Sequence, residues 1–198
     1  MKYLLILTSL LLSLNLLSAY AHDRQINKEV TVNASIESAW KAWTTVEGAQ
    51  RFFAPKAEIR LESGGDYNML WTPEAPKGQR GAEDLVVLDY SERKMLSFTW
   101  SAPPQFPTIR QRERTRVTII FNAVNDTATK IILIQDQWGE GELDGERWED
   151  VYDYFVKAWD TVLGRFIMSA EQKPVDWDNS LAFREVVDMK RIIDRSQW

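Results

Sequence analysis

Tyr67, Trp71, Phe98, Trp100, Trp138, Tyr152, Phe155 and Trp159 are the side chains in this sequence with most to offer a ligand. Each combines a large apolar ring, or a ring with one polar handle, with a position on a periodic segment. Tyr67 and Trp71 share one face of a period-two run, and so do Phe98 and Trp100. Tyr152, Phe155 and Trp159 recur at helical spacing. Rings converging from a sheet and a helix either wall a pocket for an apolar or aromatic molecule or fill a core. Both readings stand at the level of sequence.

The charged groups offer less. Arg110, Arg112, Arg114 and Arg116 alternate with Gln111, Glu113 and Thr115. On a strand that starts this early they share one face, forming either a clamp for a carboxylate or phosphate or an ordinary solvated row. Glu140, Glu142, Asp144 and Gly145 superficially follow a calcium loop, but position twelve of such a loop would be Val151 instead of a bidentate Glu. Acids gathered ahead of a helix serve its dipole, with Asp144 as a cap. With no Cys and a single histidine, His22, the chain lacks the parts for Cys-His or Ser-His-Asp catalysis and for an ordinary zinc site. No catalytic set at a diagnostic spacing, no metal site and no cofactor are expected. Asp136 and Tyr152 are the first residues to inspect for acid–base work.

The elements that position these groups follow from periodicity. Ile26–Val32 reads as a strand, and Ser35 or Asn33 caps a helix with Ile36, Ala39, Trp40 and Trp43 on one face. A short helix covers 47–53 and stops before Pro55. Strands are predicted over 56–61, 67–71, 82–90, 94–100, 114–121 and 130–138, with Ser63-Gly64-Gly65-Asp66 and Asn125-Asp126 as turns. Trp148, Tyr152, Phe155, Trp159, Val162 and Phe166 then mark an amphipathic helix over 145–170, about 39 Å long at 1.5 Å per residue. Beyond Pro174 a loop holds Trp177, and a further helix is predicted over 181–195. The sum is an α+β fold, an antiparallel sheet crossed by one long helix.

Residues 1–21 read as a signal peptide. Lys2 precedes the apolar run Leu4–Leu17, and Ala19-Tyr20-Ala21 fits the cleavage pattern. That run spans about 21 Å as a helix, short of the ~30 Å hydrocarbon layer. Export to a periplasm or the outside is expected, with no stable membrane anchor after cleavage. Cysteine-free stability then rests on the core. The sequons at Asn33 and Asn125 matter only where export passes through an endoplasmic reticulum. The formal charge of −5 argues against nucleic acid as a partner.

Four segments, in this order, carry a family resemblance: "NASIESAWKAWTTVEGAQRFFAP", "ESGGDYNMLWTPEAPKGQRG", "LVVLDYSERKMLSFTW", and "VTIIFNAVNDTATKIILIQDQW" followed by "WEDVYDYFVKAWDTVLGRF". Together they resemble the START-like (SRPBCC) superfamily and, within it, the group named after the activator of Hsp90 ATPase. The resemblance implies a helix-grip domain over 22–170: a curved antiparallel sheet of about seven strands around the long helix, with a cavity between. Residues 171–198 form an extension that the family does not usually carry. The implied activity is binding of a hydrophobic or aromatic small molecule in that cavity, at the eight aromatic residues named above. Alternatives are a cyclase- or lyase-type enzyme using a cavity carboxylate or tyrosine, and a protein-interaction module anchored by Trp177 and Trp198. The leader directs the chain away from the cytosol, so Hsp90 itself is not an expected partner.

Overall fold

A computed structural model describes residues 24–178. The first strand, β1 (Ile26–Val32), buries Ile26, Val30 and Val32 in alternation with exposed positions. Ser35 ends it and caps α1 (Ile36–Thr44), its side chain accepting from the Ser38 N–H at 3.2 Å. Thr45 repeats the device for α2 (Val46–Gln50), accepting from the Gly48 N–H at 3.0 Å. The two short helices place Ala39, Trp40 and Trp43 against the core.

The sheet follows as β2 (Lys56–Ile59), β3 (Tyr67–Leu70), β4 (Gly81–Ala82), β5 (Val87–Ser91), β6 (Met95–Trp100), β7 (Thr115–Asn125) and β8 (Ala128–Asp136). All pairings are antiparallel: one sheet runs β1-β8-β7-β6-β5 and the other β2-β3-β4. The run expected as a single strand over 82–90 is divided, because Asp84 takes a left-handed backbone (φ 55°) and the register shifts between Val87 and Asp89. Backbone bonds still cross the division: Tyr67 N–H donates to Leu85 O at 2.9 Å, and Val87 N–H to Gly65 O at 2.8 Å. An Asp66–Val86 bridge completes the junction. Counted with β4 and β5 as one bent strand, the sheet has the expected seven.

Two further expectations are corrected. Arg110 and Arg112 are not on a strand, since α3 (Pro107–Arg112) occupies that stretch. The four arginines therefore do not share a face. Pro at the first position favours the helix, and Glu146 supplies its cap from outside, accepting from the Thr108 and Ile109 N–H groups at 2.9 Å each. Burial opposes that charge, but the two amide donors hold the Glu146 carboxyl below its usual range.

Asp144 is not a helix cap. With Gly145 it forms the tip of a small hairpin, β9 (Glu142–Leu143) and β10 (Glu146–Arg147), and both residues have positive φ (50° and 88°). That dipeptide is the favoured one for a tight two-residue turn. The long helix α4 consequently begins at Trp148, not 145, and runs to Glu171. Arg147 stands at its N-cap without a side-chain bond, and Glu149 and Asp150 provide the negative first turn. Among the described residues, no helix is long and apolar enough to cross a membrane.

Past α4 the chain folds back on α2. Val175 is buried and its N–H donates to Arg51 O at 2.8 Å. Trp177 Nε1 donates to Gln50 O at 2.6 Å, with the Arg165 guanidinium 5.2 Å from its ring. Trp177 is thus engaged within its own domain. The leader over 1–21, the helix expected over 181–195 and Trp198 lie outside the described residues.

Candidate functional site

The face of the sheet toward α4 carries the row Ile26, Gln135, Val117, Phe98 and Val87, aligned across β1, β8, β7, β6 and β5. Gln135 is the odd member, a fully buried amide in an apolar row. It is satisfied on both sides: its Nε2 donates to Thr115 Oγ1 at 2.8 Å, and its Oε1 accepts from Trp159 Nε1 at 2.6 Å. Nothing in the local pattern of β8 distinguishes this residue, and the sequence reading missed it.

Six of the eight expected aromatic residues meet at this face. Tyr67 stacks on Phe98 at 4.1 Å, and Phe98 meets Trp100 edge-on at 5.8 Å. Trp100 contacts Trp71 at 6.5 Å, Phe155 at 6.5 Å and Trp159 at 5.3 Å. Phe53 of the turn after α2, not singled out in the sequence, stacks on Trp100 at 5.6 Å. Polar handles are mostly committed: Tyr67 Oη donates to Trp43 O at 2.8 Å, and Trp71 Nε1 to Phe53 O at 2.9 Å. The indole nitrogens of Trp43 and Trp100 are buried side-chain atoms without a hydrogen-bond partner among the described residues. Ring interlocks with ring across the helix–sheet interface.

The other two expected residues, Trp138 and Tyr152, lie where β8 ends, β1 begins and α4 starts. Trp138 is half-buried, 5.0 Å from Tyr152, 6.2 Å from Trp148 and 6.1 Å from Phe155. A cleft of about 480 Å³ opens here. Trp138 and Trp148 supply its aromatic wall, Gly139–Glu142 its rim with the carboxylates of Glu140 and Glu142, and Arg24, Arg147 and Glu149 its remaining charged lining. Arg24 is pinned: its guanidinium donates to both Glu149 oxygens at 2.8 and 2.9 Å and lies 3.7 Å over the Tyr152 ring. The Arg24 bond in turn holds the Glu149 carboxyl below its usual range. Gly139 lets the rim pass close to the wall. A Cβ built there would collide with the Trp148 indole and the Glu113 carboxylate. Trp148 belonged to the helical stripe in the sequence, yet nothing there separated it from a core residue.

A second cleft, of about 180 Å³, lies beside α3 between Glu83, Asp84, Arg110 and Arg114. Neither cleft is lined by Tyr67, Trp71, Phe98, Trp100, Phe155 or Trp159.

The groups inspected for acid–base work are occupied. Asp136 receives Arg116 through both oxygens, at 2.9 and 2.6 Å. Tyr152 Oη donates to Gln25 O at 3.2 Å. The deepest phenol is Tyr67; burial pushes its pKa far up and Trp43 O holds its proton, so it is a poor acid and a poor base. Among the described residues, no group of three or more His, Cys, Asp or Glu side chains could hold a metal ion.

Comparison with known proteins agrees with this architecture. The sequence profile of the family described as activator of Hsp90 ATPase homolog 1-like protein matches residues 33–166. No curated protein matches the chain significantly. Solved structures do. Protein MLL2253 from Mesorhizobium loti has a TM-score of 0.57 at 20% identity, covering 77% of this chain and 100% of its own. The Aha1 dimer from Colwellia psychrerythraea has a TM-score of 0.57 at 16% identity, over 76% and 98%. CalU16 from Micromonospora echinospora has a TM-score of 0.57 at 15% identity, over 86% and 88%. At such identities the likeness is one of fold.

Proposed function

The chain belongs to the family of activator of Hsp90 ATPase homolog 1-like proteins, and from that premise we propose that it is an exported domain that binds an uncharged aromatic or apolar small molecule. The ligand sits in the cleft against the wall formed by Trp138 and Trp148, at the open end of the helix–sheet interface. One observation carries this reading: the cleft, at about 480 Å³, falls within the size range of small-molecule pockets and has two indoles in its wall. Its position refines the expectation from sequence, which put the ligand deeper, among rings that here pack against one another. Trp138 touches Phe155, and Phe155 touches Trp100 and Trp159, so the deeper rings form the rigid backing of the wall. The role is carriage or sequestration, without chemistry. The leader over 1–21 supports a periplasmic or secreted location, and there Hsp90 is not a partner.

Titration with N-phenyl-1-naphthylamine, an uncharged probe whose emission rises in apolar surroundings, tests the proposal. The wild-type protein is expected to bind it with saturation. Trp148→Ala should weaken binding about tenfold, the equivalent of about 1.4 kcal/mol of lost aromatic contact. Gly139→Ala, which drives a methyl group into the Trp148 ring, should weaken binding as well, although it removes no ring. Absence of saturable binding to the wild type, or equal affinity in all three proteins, would overturn the reading.

A further inference from the structure

The second cleft is neutral by its own lining and becomes cationic once the neighbouring Arg80 and Lys77 are counted. Its carboxylates are Glu83 and Asp84, and its cations Arg110 and Arg114. Both carboxylates are already engaged from outside the lining. Glu83 accepts from Arg80 Nε at 2.6 Å and from the Arg80 N–H at 3.0 Å, and Asp84 pairs with Lys77 at 3.1 Å. Glu58 adds a carboxylate near Arg80, but it does not line the cleft.

Arg110 is buried, and most of its donors go to neutral oxygens: Ser101 Oγ at 3.0 Å, Ala102 O at 2.7 Å and Gly81 O. It reaches Glu83 only at 3.4 Å. Arg114 is half-buried four residues on. Its Nη1 donates to the Arg110 and Glu113 carbonyls, and among the described residues its Nε and Nη2 make no hydrogen bond. Burial depresses the basicity of both guanidiniums, and each is also raised somewhat by Asp84. Two neighbouring cations, one with an unused Nε/Nη2 edge, therefore line a small concavity whose two acids are shared with Arg80 and Lys77. That local excess runs against a formal charge of −5 for the whole chain.

We propose that this cleft binds a small oxyanion, a phosphate or a carboxylate, with Arg114 as the donor fork, Arg110 as the fixed charge beneath it and Gln111 at the rim. The planar guanidinium edge matches the paired oxygens of both anion types. At about 180 Å³ the space suits an inorganic ion or the terminal group of a metabolite, and not a whole drug-sized molecule. The site is separate from the tryptophan cleft and stands or falls independently of it.

Inorganic phosphate and acetate serve as probes, each titrated at constant ionic strength, with phosphate line width in ³¹P NMR and chemical shifts of the arginine side chains as readouts. Saturable binding of phosphate, acetate or both to the wild type is expected, and the stronger of the two identifies the anion class. Arg114→Gln should weaken it about tenfold. Arg114→Lys, which keeps the charge but loses the fork, should also weaken it. Arg112→Gln, which removes an exposed arginine paired with Asp144, should leave it unchanged. Asp84→Asn should tighten binding; Asn tolerates the left-handed backbone at that position, so the fold is not at issue. No saturable binding of either anion, or equal weakening by Arg114→Gln and Arg112→Gln, would refute the proposal.

Discussion

Glu83→Ala is expected to cost about 3–5 kcal/mol, the penalty typical of removing one partner from a buried ion pair. The Glu83 side chain is 2% exposed and that of Arg110 is 9% exposed. Glu83 joins the 77–80 loop to α3. It takes the N–H and the guanidinium of Arg80, accepts from the Gly78 N–H, and faces Arg110. Truncation strands Arg110 in a site it cannot leave, because its other donors are fixed on Ser101, Ala102 and Gly81. Glu83→Gln keeps some of the hydrogen bonds but not the charge, so it should fall between wild type and Ala.

The same residue gives a pH signature with a definite sign. Burial works to raise the Glu83 carboxyl, but hydrogen bonds from Arg80 and Gly78 outweigh it and hold the carboxyl below its ordinary value. A depressed carboxylate contributes stability that is complete above the unfolded-state value of about 4.3 and is lost as pH falls through the folded value. Glu146 and Glu149 are also held low and share that window. Urea unfolding from neutral pH down to about pH 3 should therefore show the gap between wild type and Glu83→Gln narrowing in acid. A gap independent of pH would mean that the charge of Glu83 contributes nothing to folding.

The sequence singles out Arg110, but neither Glu83 nor its pairing with Arg110 could have been found there. Residues 83 and 110 are brought together by two strands, a proline-bearing loop and α3, and no local pattern links them. Elements whose signal is local were legible: Ser35 capping α1, the Gly64-Gly65 hairpin, and the aromatic stripe of α4 all stand where periodicity and turn chemistry put them. Misreadings came where two local rules compete. Alternation of Arg with polar residues over 110–116 looks like a strand face, but Pro107 and the Glu146 carboxylate favour one short helix first. Acids before a helix look like caps, but Asp144-Gly145 forms a turn of its own. For the site, composition could say that rings would converge. Which rings interlock and which border an opening depends on how bulky side chains from five strands and a helix fit together, and that is a property of the packed structure.

Trp159→Ala should be as damaging as Glu83→Ala, at about 3–5 kcal/mol, for a different reason. Trp159 is 1% exposed in the middle of α4 and touches Phe53, Trp100 and Phe155. Its removal opens a void that these rings cannot close without moving the helix. The indole is also the donor to Gln135 Oε1, inside the sheet's apolar row. Trp159→Phe isolates that second contribution. It keeps most of the ring but leaves a buried amide oxygen without its donor, at a cost of about 1–3 kcal/mol beyond the lost area. Trp100 is the control. It lies 5.3 Å from Trp159 and is equally encased, but among the described residues its Nε1 has no acceptor to abandon. Trp100→Phe should therefore be the milder substitution, because it removes an indole N–H that has no acceptor among the described residues. Chemical unfolding of the two Phe variants under one set of conditions measures the difference directly. If Trp100→Phe costs as much as Trp159→Phe, ring volume alone governs this interface and the Gln135 bond adds nothing to its stability.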